Sequence, residues 1–298
     1  MKITRKLINT VGLLAVLIVP LTVSPLASAA TSPGLGAASS FVILADTYSN
    51  TVSGTTLGGD LGYTTPPALA PTVNGATHQA DSVYNQAGID QNTALVALNN
   101  QPCTFTFDPG PIDLASDTTH GPVGVYTPGV YCIDGAASIG GGGTITLTGA
   151  GTYIFRMDGA LTTSASSSVV LAGGASACDV WWTPIQGTTL GANSAFAGID
   201  IDAAGITIGS TVNWVGQALA FGGTVTTDTD TISAPACSDD SDDSDDSGST
   251  PTPSSDGSVP GLPNTANATS TSIILGGITL VLIGLAAIAT AYFIRKKA

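Results

Sequence analysis

TTLGANSAFAG, residues 188–198, is followed by two stretches of the same pattern, ITIGSTVNWVG (206–216) and VTTDTDTIS (225–233). The three stretches begin 18 and 19 residues apart. In each, a short run that alternates apolar and hydroxyl-bearing residues leads into a turn of small polar residues, as in a β-strand that ends at a corner. A unit this short cannot bury a core alone, so neighbouring units must stack on one another.

The same chemistry occurs earlier in the chain, in GTITLTGAGTYIF (143–155) and LTTSASSSVVLAGG (161–174). We therefore predict a mainly β fold in which these units are successive coils of a parallel β-helix, or β-solenoid. An antiparallel sandwich also produces short strands at regular spacing and is the alternative. Val225 and Ile232 are both apolar but have opposite parity, so the chain must turn a corner around Thr227–Asp230.

One segment before the β units has helical spacing. In THQADSVYNQAG, apolar residues recur at i, i+3, i+4 and i+7 from Ala80. We predict a helix that Thr77 caps and Gly88 ends. A second helical stretch is predicted at 93–100.

The charge pattern excludes several classes of partner. The chain has a net charge of −14, contains no Glu, and has Arg156 as its single basic Lys or Arg residue between 30 and 237. An acidic surface of this kind repels nucleic acid and anionic lipid, so neither is an expected partner of the domain.

The four cysteines are even in number, and none forms a CxxC motif. In an exported chain this predicts two disulfides rather than a zinc site. Three pairings are possible, and we favour the one that joins the last residue of the domain back to its body. The favoured pairs are Cys103–Cys132 and Cys178–Cys237.

Both ends of the chain have the features of export and anchoring. Residues 1–29 have a basic start, an apolar run and small residues at the end, which predicts a secretory signal peptide cut near Ala29. Residues 273–294 are uncharged and long enough to span a bilayer as a helix, and a basic tail comes directly after them. Residues 30–237 are then an extracellular domain, and 238–261 are an acidic Ser/Asp/Pro linker that we expect to be disordered.

The pentapeptide before the apolar segment resembles the LPxTG sorting signal of Gram-positive surface proteins. Its residues are Leu262, Pro263, Asn264, Thr265 and Ala266, with Ala266 where glycine is usual. In residues 262–298, pentapeptide, apolar span and basic tail come one after another as in that signal. The resemblance implies that a sortase cleaves after Thr265 and joins it to the cell wall. The alternative is a membrane anchor through the C-terminal helix.

The domain as a whole resembles the bacterial and fungal ice-binding domain known as DUF3494. The likeness runs in order through LGAASSFVILADTYSNTV (35–52), GDLG (59–62), a central stretch from PGVYCIDG to ACDVWW (128–182), and a last stretch from TTLGANSAFAG to ISAPAC (188–237). It implies an irregular right-handed parallel β-helix of triangular section with one α-helix packed alongside. Family members that bind ice use a flat face of the β-helix with outward Ser, Thr and small residues.

Alternation identifies outward threonines that are candidates for such a face. Where Ile, Leu or Val points into the core, the residue beside it points outward. Across the coils this predicts a ladder from Thr189 through Thr207 to Thr226. Outward threonine is also an ordinary surface residue of a strand. The candidate face residues are Thr144, Thr146, Thr162, Thr189, Thr207 and Thr226, with Thr163 as the alternative to Thr162.

Aspartates and tryptophans bear on other kinds of site. Asp200 and Asp202 alternate and so share a side of their strand; we expect ordinary solvated carboxylates there, with a calcium site as the alternative. Trp181, Trp182 and Trp214 are expected in the core, with an exposed sugar-stacking platform as the alternative.

Catalytic motifs are missing from the sequence. It has two histidines, His78 and His120, and no GxSxG, HExxH or nucleotide-binding fingerprint. We predict that the protein is not an enzyme and needs neither a metal nor another cofactor. The leading hypothesis is a cell-surface protein that binds ice crystals, and its main rival is an adhesin that binds glycans, proteins or biofilm matrix.

Overall fold

The computed structural model describes residues 29–237. The acidic linker 238–261, the sorting motif 262–266 and the apolar segment 273–294 lie outside this range, as do residues 1–28 of the predicted signal peptide. Between residues 29 and 237, no helix is long and apolar enough to cross a membrane.

The described chain forms twenty strands of one curled sheet, with one α-helix, α1 (Ser82–Asn99), and two short 3-10 helices. The strands are β1 (Phe41–Asn50), β2 (Thr56–Gly58), β3 (Asp60–Tyr63), β4 (Thr72–Val73), β5 (Thr77–Gln79), β6 (Phe105–Thr106), β7 (Ile112–Asp113), β8 (Val125–Tyr126), β9 (Gly129–Ile133), β10 (Ala137–Ile139), β11 (Thr144–Thr148), β12 (Tyr153–Met157), β13 (Leu161–Thr163), β14 (Ser168–Ala172), β15 (Val180–Pro184), β16 (Thr188–Leu190), β17 (Ala195–Ile201), β18 (Ile206–Ile208), β19 (Asn213–Thr227) and β20 (Thr231–Ser233).

All strand pairings among these residues are parallel, which excludes the antiparallel sandwich and confirms the β-helix. Each coil passes over three faces in turn. The broad face contains β8, β11, β14, β20, β2, β4 and the first residues of β17 and β19. The helix-covered face contains β6, β9, β12, β15, β3, β5 and later residues of β17 and β19. The threonine face contains β7, β10, β13, β16, β18 and the last residues of β19 and β1.

The two ends of the domain interleave along the axis. Strand β1 pairs with β19 on one side and with β3 on the other, and β20 lies between β19 and β2. One coil is therefore built from the first and the last strands of the domain. Helix α1 then carries the chain from the coil of β5 to the coil of β6 at the opposite end. Its eighteen residues span about 27 Å along the β-helix at 1.5 Å per residue.

The predicted helix begins and ends elsewhere. Thr77–Gln79 pair with β3, so this segment is a strand, and Asp81 caps the helix by accepting the N–H of Tyr84 at 2.8 Å. Gly88 does not end the helix, and the two predicted helices are one. A side chain at Gly88 would collide with the ring of Phe221, so the glycine serves close packing of α1 on the sheet.

Buried aromatic residues fill much of the interior. Phe155 stacks on Trp182 with ring centroids 4.4 Å apart, and Phe196 meets Trp214 edge-on at 5.1 Å. Trp181 points to the other side of its strand, where its Nε1 donates to Ser32 in the N-terminal segment. All three tryptophans are buried, as predicted, so none forms a stacking platform for a sugar.

The structure pairs Cys103 with Cys132 and Cys178 with Cys237, which is the favoured pairing. The second bond ties the residues after β20 to the segment before β15. The predicted corner is also present. Val225 and Ile232 are both fully buried, and the chain turns between them at Asp228–Asp230.

Candidate functional site

Helix α1 leaves two of the three faces uncovered. Its buried residues, among them Tyr84, Ala87 and Leu98, pack in one cluster with Leu44 and Ile154 of the helix-covered face. The broad face and the threonine face have no such cover within residues 29–237. These two are the uncovered surfaces of the β-helix itself, while the outer side of α1 exposes Val83, Ile89 and Val96.

The threonine face has a column of outward residues aligned from strand to strand, and Thr224 of β19, which pairs with Thr47 of β1, is a further exposed position beside it. Thr162, Thr189, Thr207 and Thr226 occupy directly paired positions, so the structure contains the predicted ladder. Thr163 points inward and is buried. Neighbouring residues of such a column lie about 4.7–4.9 Å apart, the distance between paired strands. The full column is Asp113, Ser138, Thr162, Thr189, Thr207, Thr226 and Ser49.

A groove runs beside this column. Gly187, Gly205 and Ala160 line it where the chain enters the face, and Thr189, Thr207, Thr224 and Thr226 also border it. The strands of this face are short, with three residues each in β13, β16 and β18. The threonine face is therefore narrow and partly concave.

The broad face has two outward columns instead of one. Thr144 and Thr146 lie here, in β11, and so are separated from the other four candidate threonines. The second column includes Val170 and Val215, which are 41% and 42% exposed. The first column is Thr144, Ser168, Ala195, Asn213, Thr231, Thr56 and Thr72. The second has two parts separated by the buried Ala197, namely Val125, Thr146 and Val170 on one side and Val215, Ser233 and Gly58 on the other.

Neither column of the broad face contains a charged residue, as their sequence shows. The threonine column, in contrast, ends at Asp113. Carboxylates hold a strong hydration shell, so a charged column is a poor surface for a partner that must displace or organise water. The broad face is the larger uncharged surface of the two.

An aligned corner joins the threonine face to the broad face. Asn193, Thr211 and Thr229 all have positive φ angles, 58°, 60° and 55°, and Ser166 holds the equivalent place with 61°. Threonine rarely adopts this conformation because of its branched Cβ. The Thr211 hydroxyl donates to Asn193 Oδ1 at 2.7 Å, which links two successive corners. In the sequence, this corner corresponds to the short polar segment that comes after each strand of the threonine face. That segment indicated a turn but not the positive φ angle within it.

The expectation that Asp200 and Asp202 are solvated is wrong. Both are buried, with exposed fractions of 0% and 1%, and Asp230 is fully buried as well. Burial raises the pKa of Asp200 well above its ordinary value, and the nearby Asp202 raises it further. Burial also raises the pKa of Asp202 and of Asp230 to about 6, although backbone N–H groups stabilise both ionised carboxylates.

The histidines are tied into local structure. His120 Nδ1 lies 2.6 Å from Asp117 Oδ2, and its ring stacks on Tyr126 with centroids 4.0 Å apart. His78 Nδ1 lies 2.8 Å from Asp81 Oδ2 at the start of α1. No group of three metal-ligating side chains occurs in the described part of the chain.

Comparisons with known proteins identify the family. The profile described as Ice-binding-like matches residues 27–233. An ice-binding protein of Flavobacterium frigoris (strain PS1) is 26% identical over 212 residues, which are 67% of this chain and 76% of the relative. The crystal structure of an ice-binding protein from the Antarctic ascomycete Antarctomyces psychrotrophicus matches with a TM-score of 0.59 and 30% identity, over 68% of this chain and 98% of that one. An ice-binding protein from an Antarctic biological consortium matches with a TM-score of 0.61 and 26% identity, over 72% and 96%. The chain belongs to the ice-binding-like family.

Proposed function

We propose that this protein binds ice crystals through the broad face of its β-helix. The observation that carries the proposal is a face open to solvent whose first outward column runs without a charged residue along seven paired strands. A second uncharged column lies beside it and is interrupted at the buried Ala197. The relatives that match most of this domain are ice-binding proteins rather than enzymes.

The physical reason lies in what an ice surface demands. Ice is rigid, so a protein face gains most contact if it is flat and does not have to be ordered on binding. In a parallel β-helix each coil is held by the backbone hydrogen bonds of its neighbours, which fixes the spacing of the outward residues. Methyl groups of Thr, Ala and Val exclude liquid water, while hydroxyl and amide groups hold water in defined positions.

The threonine face is the second candidate because its ladder is the more uniform in sequence. Two observations support the broad face over it. Its strands β13 and β16 have three residues each and expose one of them, whereas β11 and β14 have five residues each. A groove also runs along it, so a flat crystal would leave a gap over Gly187 and Gly205.

Matched single substitutions separate the two faces. Asn213 and Thr207 are exposed residues of neighbouring coils, one on each face. We expect N213Y to abolish most thermal hysteresis and recrystallisation inhibition, because the bulky ring holds the broad face away from the crystal. T207Y should keep the activity of the unmodified domain. Circular dichroism and melting temperature serve to confirm that both variants fold.

Each other result has a defined meaning. Loss of activity in T207Y with retention in N213Y would assign binding to the threonine face. Normal ice-grain growth with the unmodified domain at micromolar concentration would reject ice binding altogether. The experiment uses residues 30–237, which contain the whole described core and both disulfides and correspond to 98% of the crystallised fungal relative.

We also propose that the domain is displayed on a cell surface. The support comes from the sequence: an LPNTA motif at 262–266, the apolar segment 273–294 and a basic tail. We expect the full chain to fractionate with the cell wall and T265A to lose this attachment, because sortase joins proteins to the wall through that threonine. Equal amounts of T265A and unmodified protein in the wall fraction would contradict the proposal.

A further inference from the structure

Asp200 lies inside the β-helix. It pairs with Trp182 of β15 and Ala218 of β19, and both of these belong to the interior core. Ile199 and Ile201, on either side of it, point outward and are buried in the cluster that contains α1. The side chain of Asp200 is fully buried on the opposite side of the strand, among the apolar residues of the interior.

Neither carboxylate oxygen of Asp200 has a hydrogen-bond partner. An ionised carboxylate without a partner is very costly in an apolar environment, and a group in this position takes up a proton instead. Asp202, two residues later, differs in this respect. Its Oδ1 accepts the N–H of Ala204 at 2.9 Å, and its Oδ2 lies 3.5 Å from the Thr188 hydroxyl.

No positive charge offsets the two carboxyl groups within the described residues. The elements packed against Asp200 present Trp182 from β15, Thr188 from β16 and Ala218 from β19, none of them ionisable near neutral pH. Arg156 is the single Lys or Arg between residues 30 and 237, and it donates to the carbonyl oxygens of Asn99 and Gln101 at the end of α1. The charged group that affects Asp200 is Asp202, whose carboxylate disfavours a negative charge on Asp200.

We propose that Asp200 holds a proton at neutral pH, so that Asp200 and Asp202 form an internal acid pair with one proton, and that removing this proton loosens the β-helix. The pair is then a pH-sensitive element of the fold. Its stabilising contribution is largest in acid and falls progressively as the pH rises.

The direction follows from proton linkage. The folded-state pKa of Asp200 is raised above the ordinary value of 3.8, so the folded chain binds this proton more strongly than the unfolded chain does. The stabilisation is complete below that ordinary value and is lost as pH rises through the folded-state pKa. Asp202 and Asp230, with pKa values of about 6, give the same trend but are almost fully ionised by about pH 7. We therefore assign to Asp200 any decrease in the free energy of unfolding that continues above pH 7.

Urea unfolding of the domain from pH 5.5 to pH 9 tests the proposal. One proton held by the folded state alone raises the unfolding equilibrium constant by up to about tenfold per pH unit. We expect this rise above pH 7 in the unmodified domain and its absence in D200N, whose amide has nearly the same shape and cannot ionise. The matched control D134N removes an exposed aspartate and should behave like the unmodified domain. Ionisable groups other than the substituted aspartates are common to all three proteins, so the comparison isolates the effect of each substitution.

Two results would overturn the proposal. The first is an unfolding equilibrium constant that rises equally with pH in D200N and in the unmodified domain. The second is a melting temperature that added Ca²⁺ raises in the unmodified domain but not in D200N, because the pair would then bind a cation rather than a proton. Should D200N fail to fold, carbon-13 NMR of Asp-labelled unmodified domain still decides the question. We expect one protonated carboxyl signal at pH 7, and its absence would reject the proton.

Discussion

Removing the disulfide between Cys178 and Cys237 should cost the domain a large part of its stability. The bond joins residues 59 apart, and the other disulfide, Cys103–Cys132, joins residues 29 apart. A disulfide stabilises the folded domain by lowering the conformational entropy of the unfolded chain, and the effect grows with the length of the loop that it closes. This relation gives about 4.2 kcal/mol for the longer loop and about 3.6 kcal/mol for the shorter one. Domains of this size have a free energy of unfolding of roughly 5–15 kcal/mol, so either loss is substantial.

The structure adds a reason for the longer loop to matter more. Cys237 comes after β20, the strand that lies between β19 and β2 in the coil shared by both ends of the domain. The bond holds the end of the domain against the segment before β15. Without it, β20 keeps its pairing with β19 and β2 but has no covalent link to the body of the domain on its C-terminal side. We therefore expect C178S/C237S to lower the free energy of unfolding by about 4 kcal/mol, slightly more than C103S/C132S.

Equilibrium urea unfolding followed by tryptophan fluorescence measures both losses. Trp181, Trp182 and Trp214 are buried, so unfolding moves all three into water and shifts their emission. The two double variants serve as controls for one another, since each keeps one disulfide. A loss below about 1 kcal/mol in C178S/C237S would refute the reasoning, because the loop would then be constrained in the unfolded state by something other than this bond.

Two further predictions concern the interior. W214A should lower the free energy of unfolding by about 3–5 kcal/mol, the usual cost of removing a buried tryptophan. W214F should lower it by about 1–3 kcal/mol, because it keeps an aromatic ring, although a smaller one, but loses the N–H that donates to the Gly198 carbonyl at 2.8 Å. Equal losses in the two variants would contradict this reasoning. G198A should cost about 2–4 kcal/mol, since Gly198 has φ of +110° and a Cβ would collide with the Val180 carbonyl, whereas G34A, in open space, should be neutral. Calorimetry or urea unfolding decides both.

Much of the coil architecture could be predicted from periodicity. The repeats at 188, 206 and 225 predicted stacked coils, and the alternation within them predicted the ladder from Thr189 to Thr226. The opposite parity of two apolar residues predicted the corner after β19. These features depend on local chemistry, because strand alternation and turn residues act within a few positions of the chain.

The start of the helix and the place of the first strand could not be predicted in this way. Thr77–Gln79 are a strand because their backbone pairs with β3, and β1 lies between β3 and β19 because both chain ends share a coil. These pairings depend on how the coils stack, and the one between β1 and β19 joins residues from opposite ends of the domain. No local propensity encodes them.

Alternation along the chain establishes which residues share a side of each strand, but only the packing of the folded domain establishes which side is the interior. In β17, alternation separates Ile199 and Ile201 from Asp200 and Asp202. Local reasoning assigns the isoleucines to the core and the aspartates to water. The structure places the isoleucines outward and still buries them, because the cluster containing α1 covers that face, and this leaves the aspartates inside. The same helix determines which faces remain open, because it covers one of the three and leaves the broad face and the threonine face to solvent.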